Sequence, residues 1–156
     1  MIRRWDTLAI GKYLNEIEPA ALLLPADRAK RTLCRSISAE MHSGFGPMRS
    51  ALPMNLKGDF PNFKVWTQAQ ADIDRITGFW RECHDRYGGP FLLGERSMAD
   101  AMYAPVATRF LTYHVKLDEI CAAYMCLRGP RWIFRAHDGT RARRRPAVVR
   151  VPSRRV

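Results

Sequence analysis

The sequence predicts an all-α protein, a bundle of amphipathic helices. Apolar residues recur at steps of three and four along most of the chain, while the two-residue alternation of a half-buried strand is nearly absent. The cleanest case is Trp66, Ala69, Ile73, Ile76, Trp80, Cys83 and Tyr87, spaced 3, 4, 3, 4, 3, 4. Such a seam suits a helix packed against an antiparallel neighbour at a shallow angle. Hydrophobic residues make up 47% of 156 residues, enough for one sizeable core and short for two domains.

The elements follow in order. Residues 6–17 read as a short helix, with Asp6 as its cap and Leu8, Ile10, Tyr13, Leu14 and Ile17 supplying apolar surface. Glu18-Pro19 and Pro25 punctuate a connector, 18–26, that reads as a linker between two units. Asp27 opens a long helix, 27–52, striped by Ala29, Leu33, Ile37, Met41, Phe45, Met48 and Leu52. Gly44 and Pro47 lie inside it, so a kink is expected at 43–47, and Pro53 ends it.

Residues 53–64 hold Pro53, Gly58, Pro61 and Asn62 and read as a loop ahead of the seam helix, which Gly88-Gly89-Pro90 stops. Ser97-Met98-Ala99-Asp100 is a capping box. The serine hydroxyl can accept from the backbone N–H three residues on, and the aspartate can reach back to the N–H of Ser97. The helix it starts runs to about Tyr113, with Ala101, Met102, Pro105, Phe110 and Tyr113 on or near its buried side and a bend expected at Pro105. Asp118–Arg128 is a further helix with Ile120, Tyr124 and Leu127 inward, and Trp132, Ile133 and Phe134 read as a last turn over the core.

From His137 the texture changes. Residues 137–156 hold seven arginines against one acid, Asp138, so more than half of the net charge of +11 sits there. They read as a disordered basic tail without interleaved aromatics, and nucleic acid is not an expected partner. Cys34, Cys83, Cys121 and Cys126 form no CxxC pair and read as free thiols in a reducing cytoplasm. His42, His84, His114 and His137 are scattered and no HExxH occurs, so no metal is expected. No apolar run reaches the roughly 18 residues of a membrane span.

Three stretches together resemble one family. Trp5-Asp6-Thr7-Leu8-Ala9-Ile10 with Tyr13-Leu14 resembles the end of the thioredoxin-like domain of bacterial glutathione S-transferases. Ala39-Glu40-Met41-His42-Ser43-Gly44-Phe45, with Arg49 and Pro53-Met54-Asn55, resembles the first long helix of their C-terminal domain. Ser97-Met98-Ala99-Asp100-Ala101-Met102-Tyr103-Ala104-Pro105-Val106 resembles the capping-box helix that marks that domain. The likeness spans about residues 5–134, in order. Thr7 stands where serine is usual, Pro47 is unexpected in the long helix, and the tail does not resemble the family's ending.

The resemblance implies a division of the chain. Residues 1–17 are the last helix of a thioredoxin-like domain, 18–26 the linker, 27–136 the C-terminal-type helical domain, and 137–156 the tail. It implies attack of glutathione thiolate on a small electrophile, with glutathione as co-substrate. In the family a Ser, Cys or Tyr of the preceding β/α domain lowers the thiol's pKa. The expectation is therefore a truncated chain without a catalytic residue of its own, or a non-catalytic interaction module prone to self-association.

Site residues are implied in the same way. Asp6 and Thr7 hold the γ-glutamyl end of glutathione, the acid suiting the ammonium, and the hydroxyl with the helix N-terminus suiting the carboxylate. Met41, His42 and Phe45 line the acceptor pocket, with Tyr103, Arg109 and Tyr113 contributing from the capping-box helix. The residue types alone also allow plainer roles: a helix cap at Asp6, ordinary packing at Met41 and Phe45, a satisfied polar group at His42. Ser97 and Asp100 are structural under either reading.

Overall fold

The computed structural model describes residues 5–128. The tail and the turn at Trp132, Ile133 and Phe134 lie outside the described residues, as does the side chain of Leu127. Among the described residues there are six α-helices and no strand: α1 (Thr7–Ile17), α2 (Arg28–Ser43), α3 (Gly46–Ala51), α4 (Thr67–Tyr87), α5 (Met98–Thr112) and α6 (Glu119–Arg128).

The start signals act as their chemistry dictates. Asp6 Oδ1 accepts from the N–H of Leu8 at 2.9 Å and of Ala9 at 3.1 Å. Asp27 Oδ1 accepts from Lys30 N at 2.8 Å, and Asp118 Oδ1 from Cys121 N at 2.9 Å. Each satisfies donors that the first helical turn leaves without partners. Gly88, at φ 74°, closes α4 in the left-handed conformation that glycine adopts without penalty.

The long helix expected over 27–52 is two helices. A proline in a helix interior costs about 3 kcal/mol through a lost bond and a clash. The chain avoids this by breaking before it. Gly44 is extended, Phe45 turns left-handed at φ 60°, and Pro47 falls in the first turn of α3, where its missing N–H is harmless. The freed groups find partners. Arg49 Nη2 donates to the carbonyls of Met41 and, at 3.3 Å, His42 in the last turn of α2. Asp72 of α4 accepts from Met48 N at the start of α3 at 2.9 Å.

Connector 18–26 is anchored. Met98 N donates to Leu23 O at 2.7 Å, Leu24 N to Asn15 Oδ1 at 3.0 Å, and Leu24 is buried. The 53–66 loop is strapped to the end of α5. Phe60 N donates to Thr112 O at 2.8 Å, Thr112 Oγ1 to Asn55 O at 3.0 Å, and Tyr113 OH to Pro53 O at 3.1 Å.

The core lies between α2, α4, α5 and α6. Trp80 is its hub, with ring centroids 6.0 Å from Tyr103, 5.7 Å from Phe110 and 4.8 Å from Tyr124. Large aromatic area at tilted and edge-on geometry is an effective way to hold three helices together. Ala69, Ile73, Ile76 and Cys83 of the seam are buried as expected. Trp66 is not: it precedes α4 and is 63% exposed, so the seam's first inward position is Ala69. Phe79 is buried off the seam, against Tyr103. On α5, Ala101 is exposed, and the helix stays unbroken through Pro105.

Candidate functional site

The N-terminus of α1 meets the C-terminal end of α2. Asp6 is held at φ 75° by its cap bonds, and its Oδ2 lies 3.0 Å from His42 Nε2. The backbone N–H of Ala9, then that of Leu8 and the charge of His42, hold the Asp6 carboxyl below the usual carboxylate range, against an opposing desolvation. The pair is accessible, with side chains 39% and 40% exposed.

Beside this pair opens a cleft of about 400 Å³. Thr7, Met41, His42 and Arg49 line one side, and Ala101, Met102, Pro105 and Arg109 of α5 the other. Arg109 is fixed by two carbonyls: Nε donates to Leu52 O at 2.9 Å and Nη1 to Pro105 O at 3.1 Å. Burial and then the neighbouring Arg49 charge press its pKa below the ordinary guanidinium range, which Tyr113 partly offsets. Neither guanidinium forms an ion pair among the described residues.

Thr7, Met41, His42 and Arg109 therefore share one cleft with Asp6 at its edge. Three residues expected there lie elsewhere. Phe45 is buried at the α2–α3 break. Tyr103 is 1% exposed, inside the aromatic core, where burial pushes its hydroxyl pKa up. Tyr113 packs on Phe60 and Phe63 and faces a separate hollow, with His114 and Lys116. Both tyrosine rings close apolar layers: Tyr103, six residues before Arg109, is turned from it by helical phase, whereas Tyr113, four residues after it, shares its face but is taken up by Phe60 and Phe63.

Arg49 belongs to the cleft and was not legible as a site residue. In one continuous helix it would sit about two turns beyond His42. The break at Gly44–Phe45 folds it back so that it bonds the His42 carbonyl. A signal did exist, in the paired helix breakers Gly44 and Pro47 just before it.

Ser97 and Asp100 form the capping box at the start of α5. Asp100 Oδ2 accepts from Ser97 N at 2.9 Å and Ser97 Oγ at 3.2 Å; Oδ1 accepts from Leu92 N at 3.1 Å and Tyr124 OH at 3.2 Å. The carboxylate thus ties the 92 turn, α5 and α6 together. Among the described residues no three His, Cys, Asp or Glu side chains cluster as metal ligands would. No described helix is long and apolar enough to cross a membrane.

The chain is similar to maleylacetoacetate isomerase of Rattus norvegicus, 31% identical over 114 residues, 72% of this chain and 51% of that protein. It thus spans about half the length of the curated relative it matches. No family model matches.

Proposed function

We propose that this chain is a glutathione S-transferase-like protein whose described helices bind the two substrates of a glutathione transfer. Likeness to a maleylacetoacetate isomerase, an enzyme of the glutathione S-transferase family, supports the superfamily, and the all-α architecture agrees with its C-terminal helical domain. In this reading residues 1–17 end a thioredoxin-like unit, 18–26 connect, and 27–136 form the helical domain.

The observation that carries the reading is the proximity of Asp6 and Thr7, at the positive end of α1, to the cleft lined by Met41, His42 and Arg109. An accessible carboxylate there suits the γ-glutamyl ammonium of glutathione. The Thr7 hydroxyl and the helix N-terminus suit its carboxylate. The neighbouring cleft then takes the electrophile, within reach of the sulfur that attacks it. Glutathione is the co-substrate, and a cytoplasmic setting matches the free thiols of the chain. Ionisation of the glutathione sulfur, which nucleophilic attack requires, is assigned to no described residue.

Glutathione titrated into the ¹⁵N-labelled protein tests this. Amide shifts centred on Thr7, Leu8 and Ala9, weakened at least tenfold in Asp6→Asn, are expected. Shifts absent from α1 would refute the assignment.

A second reading, an interaction module that self-associates, is favoured by the apolar face of α1 and its connector. Ile10, Leu14, Ile17 and Leu22 are 39–56% exposed on it. Light scattering across concentration tests it, with a constant monomer mass as the refuting outcome.

A further inference from the structure

The cleft between α2, α3 and α5 holds two guanidinium groups and no acid to balance them. Arg49 and Arg109 both line it, and the Arg109 pKa is pressed down by burial and then by the Arg49 charge, with no carboxylate opposing it. The acid at its edge, Asp6, already contacts His42. Arg49 Nε is buried and finds no hydrogen-bond acceptor among the described residues. Such a donor is costly to leave unpaired, and more so on a charged group. Two like charges in a partly desolvated hollow also repel. Both costs fall when an anion enters.

The other walls narrow the chemistry. Met41, Met102, Ala101 and Pro105 are apolar, and about 400 Å³ admits a small molecule and not a macromolecular segment of any length. Thr7 adds a hydroxyl. Planar guanidinium forks match the two oxygens of a carboxylate better than they match a spherical ion.

We propose that this cleft binds a small carboxylate with an apolar body, its anionic head held between Arg49 and Arg109 and its body against Met41, Met102 and Pro105. Arg49 is the specificity-determining residue. Its Nη2 holds the broken end of α2, so the guanidinium is already ordered when the ligand arrives. As a binding site the cleft stands on its own; as the acceptor site it rests on the transferase reading above.

Benzoate and its neutral isostere benzamide are the probes, titrated into the full chain by NMR at constant ionic strength. Benzoate is expected to shift the Arg49 Nε–Hε resonance and the amides of Met41 and Met102, and to bind at least tenfold more tightly than benzamide. Arg109→Gln and Arg49→Gln should each weaken benzoate at least tenfold, and Arg49→Lys should restore only part of the loss. Equal binding of the two probes, or benzoate shifts confined to other arginines of the wild-type protein, would overturn the site even if a variant failed to fold. Glutathione is the separating arm. If it displaces benzoate competitively, the carboxylate recognised is glutathione's own and the acceptor assignment falls. If both bind together, the assignment stands. Glutathione shifts at Thr7 to Ala9 report the transferase reading independently, so either can fail alone.

Discussion

Tyr124 of α6 donates its hydroxyl proton to the carboxylate of Asp100 on α5 across 3.2 Å. Tyr124 is thereby joined to a group that already serves Ser97 and Leu92. Burial, then the Asp100 charge, pushes the tyrosine pKa well up, so it stays a donor throughout the working pH range. An N-cap substitution ordinarily costs about 1 kcal/mol. Here more is at stake, because removing the carboxylate strands several buried donors. Asp100→Ala is expected to lose about 3 kcal/mol in urea melts, and Tyr124→Phe about 1 kcal/mol. Equal losses would mean that the box itself contributes nothing.

The Asp6 cap carries a pH dependence whose sign follows from its depressed pKa. Its contribution to α1 is fully present above the unfolded carboxyl's pKa and is lost as pH falls through the folded one. The hydrogen-exchange protection factors of the α1 amides, from Ile10 onward, should therefore fall below about pH 4. Asp6→Ser keeps a capping oxygen without the charge and should abolish that pH dependence. Persistence of that loss of protection in the variant would assign it to another group.

Gly44 sits where a methyl group has no room. A Cβ there would lie 2.6 Å from the carbonyl oxygen of Glu40, which is backbone and cannot swing aside. Gly44→Ala is expected to destabilise the protein by roughly 2 kcal/mol, as overpacking does. It should also disturb the Arg49 resonance, because the break that folds Arg49 back begins at Gly44. Unchanged melting would show that α2 ends elsewhere in solution.

The cysteines divide by environment. Cys34, Cys83 and Cys121 are buried, and Cys126 is exposed. Burial, reinforced by the charge of Glu82 at Cys83 and of Asp118 at Cys121, pushes both thiols up to about 12. The thiolate is the reactive form. At pH 8 an aromatic disulfide reagent should modify Cys126 rapidly and the other three only as fast as the protein unfolds. Rapid modification of Cys83 or Cys121 would contradict the burial of α4 and α6 in the core, and of Cys34 the packing of α2 against α5.

Much of the fold was legible because its signals are local. Asp6, Asp27 and Asp118 each satisfy donors in the next turn and Asp100 reaches back to the N–H of Ser97, a reach of three residues that a sequence displays directly. The seam through Ala69, Ile73, Ile76, Trp80 and Cys83 needs only a period. The candidate site was legible in part. Asp6, Thr7, Met41, His42 and Arg109 come together as a group, whereas Phe45, Tyr103 and Tyr113 sit in other layers.

The sequence by itself determined which segments are helices, where they start and which stripe they bury, since propensity, capping and periodicity act over a turn or two. Tertiary structure alone decided whether Gly44 and Pro47 bend one helix or separate two. That outcome turned on partners distant in the chain, such as Asp72 taking the Met48 N–H. It alone also decided which of several plausible side chains face a shared hollow. Helical phase after a break, and the seating of Tyr103 against Trp80, are set by packing between elements, which no local pattern encodes.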